Sequence, residues 1–447
     1  MKGCVPLSPR QSVSWNQRHR LGQIRSESDA GVYRPHHPSV TLRIRGPLRT
    51  DALERAWLRL QERHPVIRCG FDLDDFTWRL DTPATASGIV LAEAAPDDTA
   101  SGVVALTERL VDAPFDFAKG PLARLVLLQR PEETLFALVL DHLVADFWSL
   151  DLLMSDLTNL YADELGLATD PLPPVPLPYP EQVRQQNAYL DSAAGTRALD
   201  TLSAALEGVG PIPATRFEGF SGRAHAGYDR TGLVRASFGS SLTSAVFACA
   251  RSHRMTPWTL IHAAVHRALY ELSDQPSVGT MLMTANREST SVHQTVGFLA
   301  SKVVIATQRD DQAGTAAFLR GFQHAMMNAL DFMAIPWPRL IAHMEPSALG
   351  CHARVPYISF NPQNSTMRRW MGGWRFPGCE SEPLDLAGST PDAAVVVSLT
   401  EVEGDVAVSL YHRTDWYAAE AVERLWQVTE RTLRDWVREA GTGDEGR

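Results

Sequence analysis

The chain contains few cysteines, and their placement excludes some kinds of site. Five cysteines occur among 447 residues, and no two of them form a C-x-x-C pair. Such an odd, scattered set gives no sign of a disulfide framework, and free thiols fit a reducing compartment. We therefore expect the protein in the cytoplasm.

Long basic blocks and long apolar runs are missing as well. The formal net charge is −10 at pH 7 and the chain has no long basic block, which argues against nucleic acid as the main partner. No apolar stretch approaches the roughly 20 residues that a membrane span needs. The first residues, MKGCVPLSPRQ, contain no apolar signal core. We expect neither a membrane protein nor a secreted one.

Apolar periodicity is abundant, and helical and strand patterns alternate irregularly along the chain. Residues 51–64 place Leu53, Trp57 and Leu60 at helical spacing, with Thr50 as the expected N-cap. The two apolar runs that end at residues 130 and 140 predict a β-hairpin. By the same criteria, strands are expected at 66–71, 121–130, 134–140, 278–285, 301–308, 355–361, 393–402 and 406–412, and further helices at 148–165, 240–254, 257–272 and 418–440.

A proline-rich segment at 169–180, TDPLPPVPLPYP, separates the two halves of the chain. Such a segment is stiff and extended, and we interpret it as the crossover between two lobes. The pattern predicts a two-lobed α/β or α+β protein in which each lobe is one sheet covered by helices. The expected division is residues 1–175 and 176–447.

The most informative stretch is LVLDHLVADFWSLDLLM at 138–154. An apolar strand pattern stops at Asp141, His142 follows directly, and Asp146 comes four residues later, before a helical pattern. A neutral imidazole near pH 7 is suited to proton transfer. The spacing H-x-x-x-D alone arises by chance in a chain with 14 histidines, so its meaning depends on the segments around it.

Segments along nearly the whole chain resemble, in order, the motifs of condensation domains of nonribosomal peptide synthetases. They are LSPRQ at 7–11, GPLRTDALERAWLRLQERHPVIRCGF at 46–71, PFDFAKGPLARLVLL at 114–128, LPPVPLPYPEQV at 172–183, TANRES at 284–289, VGFLAS at 296–301 and YHRTDWYAAEAVERL at 411–425. Any one of these matches is weak evidence. Seven in the same order indicate the family.

The resemblance implies both a fold and a reaction. The fold has two lobes, each like chloramphenicol acetyltransferase, set in a V with an active-site tunnel between them. In the reaction, an acyl thioester on a carrier protein is passed to an amine or a hydroxyl. The family's motif is H-H-x-x-x-D-G. His142 and Asp146 match it, whereas Asp141 replaces the first histidine and Phe147 replaces the glycine.

The family pattern also implies a role for each of these residues. His142 would act as the base or organise the oxyanion. Asp146 would hold the loop through an ion pair with an arginine, and the matching candidates are Arg68 and Arg287. Asp141 is expected to point away from His142 into the N-terminal lobe, since adjacent side chains on a strand diverge.

Four residues are candidates for the tunnel wall, namely Phe147, Trp148, Ser149 and Ser301. Two of them have an alternative interpretation as core residues. A benzyl group at Phe147 either packs into the core or changes the tunnel, and Trp148 is also a candidate for the core.

The same stretch fits a second signature, D-x-x-x-x-D-x-x-S, through Asp141, Asp146 and Ser149. This is the signature of heterocyclisation domains. The Ser-Gln-Thr-Pro-Gln stretch that accompanies it is not found. An Asp141 carboxylate lining the tunnel beside His142 would favour heterocyclisation.

We therefore expect a free-standing, monomeric condensation-type acyltransferase in natural-product biosynthesis, forming an amide or an ester bond. The resemblance implies no metal and no resident cofactor, because the phosphopantetheine arm belongs to a partner carrier protein. The acceptor would be a small molecule or a second carrier-bound group. Two alternatives stay open, a non-catalytic docking or recruitment protein and a heterocyclisation enzyme.

Overall fold

A computed structural model describes residues 4–6, 37–72, 77–79, 83–85, 88–93, 100–221, 231–346, 355–363, 374–384 and 393–442. The LSPRQ motif at 7–11 lies outside these ranges. Among the helices that they contain, none is both long and apolar enough to cross a membrane.

Helices and strands alternate through both halves. The strands are β1 (Cys4–Pro6), β2 (Ser39–Arg45), β3 (Gly70–Asp72), β4 (Thr77–Arg79), β5 (Ile89–Glu93), β6 (Ala123–Gln129), β7 (Thr134–Leu140), β8 (Thr231–Ser237), β9 (Ser277–Thr284), β10 (Ser301–Gln308), β11 (Ile358–Gln363), β12 (Glu380–Pro383), β13 (Val395–Val402) and β14 (Asp405–Arg413). The α-helices are α1 (Thr50–Arg63), α2 (Ala100–Val111), α3 (Phe147–Glu164), α4 (Tyr179–Leu190), α5 (Ala193–Ala205), α6 (Gly239–Ser252), α7 (Pro257–Glu271), α8 (Thr315–Asp331), α9 (Trp337–Met344) and α10 (Ala419–Thr442).

The first lobe is built on a five-stranded sheet in the order β12–β2–β7–β6–β5. The predicted hairpin is present, because β6 and β7 pair antiparallel. Alternate residues of β7, such as Leu138 and Leu140, pack against α1 and α3. Ala137 and Val139 face the opposite side, which carries Val111 of α2. By this alternation, the side chain of Asp141 should continue on the α2 side.

One strand of this sheet comes from the second half of the chain. The four residues of β12 pair antiparallel with β2, and Trp374 and Phe376 just before it are buried in the core of the first lobe. The two halves therefore share a sheet, while the division at residue 175 stays a prediction.

The second lobe is built on a six-stranded sheet in the order β10–β9–β11–β13–β14–β8. β11 runs parallel to β9 and β13, and the other pairs are antiparallel. Helices α6, α7, α8 and α10 cover one face, and α5 and α9 cover the other. A smaller sheet joins β1, β4 and β3.

The predicted N-cap of the first helix is wrong by one residue. Thr50 is already helical, and Arg49 occupies the N-cap position with an extended backbone and no side-chain capping bond. The Arg49 guanidinium instead binds Asp51 in the first turn, with Nε 3.1 Å from Oδ1.

The strand predicted at 66–71 is mostly a turn. A 3₁₀-helix occupies Pro65–Ile67, and only the short β3 follows it. The fixed φ of Pro65 favours the first turn of a helix, which overrides the strand pattern. The apolar residues are buried as expected, since Ile67 and Cys69 are both 0% exposed.

Two histidines lie in the core of the second lobe. On α7, His262 and His266 are fully buried, and both place Nε2 within 2.8 Å of the Thr280 hydroxyl. The second histidine also bonds Thr307 through Nδ1 at 2.9 Å. Burial lowers the pKa of His266 to about 3. Burial and the neighbouring histidine hold the pKa of His262 well below its usual range.

This pair predicts a loss of stability in mild acid. The unfolded chain binds protons at these histidines near pH 6.5, whereas the folded chain does not. The pair therefore makes its full contribution to the free energy of unfolding above pH 6.5, and this contribution falls as the pH decreases toward about 3. Each such histidine can cost up to about 1.4 kcal/mol per pH unit below 6.5. In urea unfolding between pH 7.5 and 5.5, His266→Gln should therefore show a shallower pH slope than the wild type. The exposed His324→Gln is the control, and equal slopes for His266→Gln and the wild type would contradict the prediction.

Candidate functional site

The motif loop lies between the end of β7 and the start of α3. Its first residue, Asp141, extends the strand pairing, because its N–H donates to the Leu122 carbonyl at 2.9 Å. A turn follows, closed by the Val144 N–H donating to the Asp141 carbonyl at 3.0 Å. Asp146 then caps α3 by accepting from the Ser149 N–H at 2.9 Å. The loop is therefore fixed at both ends.

Asp146 is the most heavily bonded group of the site. Its carboxylate, 1% exposed, forms a bidentate pair with Arg287, with Nη1 2.8 Å from Oδ2 and Nη2 3.0 Å from Oδ1. The Ser149 hydroxyl donates to Oδ1 at 2.8 Å. The backbone N–H groups of Leu299 and Ala300 donate to Oδ2 at 3.0 and 2.9 Å. Together with the Ser149 N–H that caps α3, six hydrogen bonds converge on this carboxylate.

The ion pair predicted for Asp146 is present, and its partner is Arg287 rather than Arg68. Burial alone would raise the pKa of Asp146, but the charge and hydrogen bonds of Arg287, together with backbone donors, lower it overall. Arg68 lies at the end of the 3₁₀-helix Pro65–Ile67. The carboxylate therefore stays ionised in the folded protein.

The loop between β9 and β10 brings Arg287 to the motif. Asn286 has φ of +51°, a left-handed conformation that asparagine adopts more readily than most residues. The guanidinium also donates to the Thr295 carbonyl at 3.2 Å. From the other side, the indole Nε1 of Trp148 donates to the His293 carbonyl at 3.0 Å. The two loops therefore hold each other.

His142 is half-buried, in contrast to the acids on either side. Its Nδ1 lies 2.8 Å from the carbonyl oxygen of Ala145. A carbonyl only accepts hydrogen bonds, so Nδ1 carries the hydrogen and Nε2 carries the lone pair of the neutral ring. The ring also packs against Phe298 from the second lobe, with 4.4 Å between centroids. Both lobes therefore set the orientation of this imidazole.

Asp141 faces away from solvent and toward basic groups of the first lobe. Its side chain is 0% exposed, and Oδ2 lies 3.8 Å from Nδ1 of His37. Oδ1 accepts from the Leu143 N–H at 2.9 Å. Burial lowers the pKa of Arg124 to about 10, and the charge of Asp141 acts in the opposite direction. This orientation agrees with the one expected from strand alternation.

The four candidates for the tunnel wall divide into two pairs. Phe147 and Trp148 are half-buried, and Phe147 packs against the core of the first lobe. Its position as the first residue of α3 requires no glycine conformation. Ser149 and Ser301 are 0% and 3% exposed, so their burial does not favour the tunnel wall, and that assignment stays a prediction. The Ser149 hydroxyl instead donates to Asp146 and accepts from the Gly297 N–H.

Gly297 has a structural role that the sequence did not indicate. A Cβ at this position would lie 2.1 Å from the ring of Tyr179, the first residue of α4. The Tyr179 hydroxyl in turn donates to the Phe298 carbonyl at 3.3 Å, and the Thr295 hydroxyl donates to the Leu177 carbonyl at 2.6 Å. The proline-rich crossover thus packs directly on the loop that carries Arg287. The VGFLAS resemblance marked this segment but not its contact with the crossover.

The comparisons with known proteins agree with the motif order. A family model described as "Condensation domain" matches residues 34–441. Chondramide synthase cmdD of Chondromyces crocatus is 25% identical over 431 residues, which is 94% of this chain and 11% of that protein. Across eight curated synthases and synthetases that it matches, the chain spans between 2% and 32% of their length.

Solved structures match over nearly the whole chain. The X-domain from teicoplanin biosynthesis has a TM-score of 0.81 at 17% identity, covering 97% of this chain and 96% of that one. A complex of the X-domain and OxyB gives 0.79 at 16% identity, covering 99% and 95%. SgcC5 of Streptomyces globisporus, bound to a naphthyl ethanediol and sucrose, gives 0.71 at 19% identity, covering 97% and 98%. These matches confirm the predicted fold of two chloramphenicol acetyltransferase-like lobes.

Removing the charge of Asp146 should destabilise the protein strongly. Asp146→Asn leaves Arg287 as a buried cation without its counter-ion, and breaking such a pair costs roughly 3–5 kcal/mol. The control is Asp163→Asn, which breaks the exposed pair with Arg59 and should cost less than about 1 kcal/mol. Urea unfolding measures both variants, and equal losses would show that the buried pair contributes little.

An alanine at position 297 should displace the crossover. Gly297→Ala drives a methyl group into the Tyr179 ring, so the melting temperature and the yield of folded protein should fall. Gly321→Ala on α8 is the matched control, because nothing lies within 4 Å of its added Cβ. In that helix, alanine should add about 0.5–1 kcal/mol of stability. A Gly297→Ala protein that melts at the wild-type temperature would refute the packing argument.

Proposed function

Because the chain belongs to the condensation-domain family, we propose that it transfers an acyl group from a carrier-bound thioester to an amine or hydroxyl acceptor. The observation that carries this proposal is the tautomer of His142. Its Nδ1 donates to the Ala145 carbonyl, so the lone pair of the neutral ring is on Nε2. Among the motif's ionisable groups, this half-buried imidazole has access that the buried Asp141 and Asp146 lack.

Nε2 of His142 accepts the proton that the acceptor loses as it attacks the thioester carbonyl. The new bond joins the acyl carbon to nitrogen or oxygen, and a tetrahedral oxyanion forms. When the carbon–sulfur bond breaks, the same imidazole returns the proton to the departing thiolate. One group thus moves one proton, and no oxidant or reductant is needed.

Asp146 and Arg287 contribute by holding the loop. Both are buried, at 1% and 6% exposure, and their charges are directed at each other. An ionised carboxylate with six donors has no capacity left for proton transfer to substrate. These residues fix the distance between α3 and the β9–β10 loop, and through Phe298 they fix one face of the imidazole.

The acyl donor that we propose is a thioester on the phosphopantetheine arm of a carrier protein, supplied by the partner. An amine and a hydroxyl are both possible acceptors by this chemistry. SgcC5, which shares the fold, was solved with a diol, and this supports testing alcohols as acceptors. Action as a separate, free-standing chain stays a prediction.

A non-catalytic recruitment role is the second candidate. Two of the motif positions depart from the family pattern, at Asp141 and Phe147. The X-domain, which shares the fold, was solved in a complex with OxyB. On this alternative, the protein binds a partner without turning over a thioester.

Heterocyclisation has less support from the geometry. Asp141 is turned toward His37 and away from solvent, and Ser149 is occupied by Asp146 and Gly297. Of the three residues of that signature, none has the exposure that a group acting on substrate needs.

The proposal predicts a large loss of turnover when the imidazole is removed. Carriers loaded with different acyl groups are incubated with amines and alcohols, and intact mass measures the product. His142→Ala should lower turnover by about two to four decades, the range for general acid–base groups. His142→Gln, which keeps a hydrogen bond donor, should be similarly slow because it has no basic nitrogen.

The control for this experiment is His324→Gln, which alters an exposed histidine on α8 and should leave turnover unchanged. A folded His142→Ala protein that forms product at the wild-type rate would contradict the assignment. Partner binding without product by the wild type, across the whole panel, would favour the recruitment alternative.

A further inference from the structure

We infer that Asp141 is a positioning residue for His142, closing the turn that carries the imidazole, and that Arg124 balances the charge which Asp141 places in the first lobe. This inference rests on the proposed function, since it assigns a role to the residue that replaces the family's first histidine. It concerns two features that the proposed reaction leaves unexplained, a buried acid at the motif and a buried arginine on the neighbouring strand.

Asp141 accepts two hydrogen bonds that hold the turn from Asp141 to Val144. The Asp141 carbonyl accepts from the Val144 N–H at 3.0 Å, and its Oδ1 accepts from the Leu143 N–H at 2.9 Å. Aspartate is favoured at the first position of such turns because its side chain can accept from the residue two places on. His142 lies between these two bonds, so its backbone has little freedom.

The surroundings of this turn make the side-chain bond important. Leu143, Val144 and Ala145 are all 0% exposed and belong to the core of the first lobe. A buried N–H without an acceptor is costly, so water cannot readily replace the carboxylate at the Leu143 amide. The Ala145 carbonyl, which holds Nδ1 of His142, follows directly in the same buried segment. A shift of the turn therefore moves both the imidazole and its hydrogen bond acceptor.

A carboxylate at this position needs a compensating charge. Asp141 is 0% exposed, and burial of an unpaired carboxylate is unfavourable. Arg124 on β6 is 8% exposed and lies on the α2 side of the sheet, the same side that Asp141 faces. Its guanidinium stacks over Phe115 at 3.8 Å and donates to the Ala113 carbonyl. The ring of Phe115 also contacts His37 edge-on, with 5.0 Å between centroids.

Asp141, His37, Phe115 and Arg124 therefore form a chain of neighbours on the α2 side of the sheet. Burial lowers the pKa of Arg124 and the charge of Asp141 raises it, and Oδ2 of Asp141 lies 3.8 Å from Nδ1 of His37. The two oxygens of the carboxylate thus do different things. Oδ1 closes the turn, and Oδ2 faces His37.

This division allows the two functions to be tested separately. Asp141→Asn keeps an oxygen that can accept from Leu143 but removes the charge. Asp141→Ala removes both. Arg124→Met removes the cation and keeps an apolar stem, and Asp141→Asn with Arg124→Met removes both charges while keeping the acceptor.

The first measurement is the tautomer of His142 in the full chain. Long-range nitrogen–proton spectra of protein labelled with ¹⁵N-histidine report it, and the His142→Gln spectrum assigns the signals. We expect the wild type and Asp141→Asn to hold the hydrogen on Nδ1, and Asp141→Ala to lose this preference. Turnover should fall about tenfold to a hundredfold in Asp141→Ala, the scale of a misplacement by about 1 Å, and Asp141→Asn should stay within about tenfold of the wild type.

The second measurement is the melting temperature of the charge variants. Asp141→Asn and Arg124→Met should each lower it, by about 5 °C or more, since each removes one of two opposite charges that lie on the same side of the sheet. The double variant should recover at least half of the summed loss. If Asp141→Ala does not fold, Asp141→Ala with Arg124→Met replaces it in the tautomer measurement.

These experiments distinguish a failure of this inference from a failure of the proposed function. A wild-type tautomer of His142 in Asp141→Ala would overturn the positioning role. Losses in melting temperature that simply add in the double variant would overturn the compensation by Arg124. If no protein forms product but the tautomer and the coupling behave as expected, the proposed reaction fails and this inference stands.

Discussion

The ion pair between Asp146 and Arg287 is the interaction on which the rest of the site depends. It joins residues 141 positions apart, one at the start of α3 and one in the β9–β10 loop. Burying two charges is costly, and the pair is favourable only because its geometry is bidentate and further donors satisfy the carboxylate. Those donors come from Ser149, Leu299 and Ala300, so forming the pair also fixes both loops. The lobes are thereby held together at the place where the imidazole lies.

The orientation of His142 follows from this constraint and from a second one within the first lobe. The Ala145 carbonyl fixes the tautomer, Phe298 from the second lobe covers the ring, and Asp141 closes the turn below it. Two acids that flank a histidine thus have opposite surroundings. Asp146 binds toward the second lobe, and Asp141 binds into the first. Both carboxylates are buried, whereas the imidazole between them is half-buried.

Much of this arrangement could be predicted from the sequence, because it depends on local pattern. Strand alternation gave the direction of Asp141, and the hairpin, α3 and the long α10 follow from apolar periodicity. The choice between Arg68 and Arg287 could not be made, since it depends on how a distant loop folds back. The strand β12 has the sequence ESEP, which has no apolar alternation, and its pairing comes from tertiary context. Arg124 was hidden inside an apolar run, and Ser149 resembled a wall residue although its hydroxyl is buried.

The central claim is that Arg287 acts on the reaction through the loop that holds His142. A double-mutant cycle in turnover tests it most directly, combining Arg287→Lys with His142→Gln. Lysine keeps the charge but cannot form the bidentate pair, so Arg287→Lys alone should lower the turnover of the proposed reaction. The same change should have little further effect on turnover once the imidazole is gone. If the two losses multiply instead, the ion pair acts independently of His142, which would contradict this coupling.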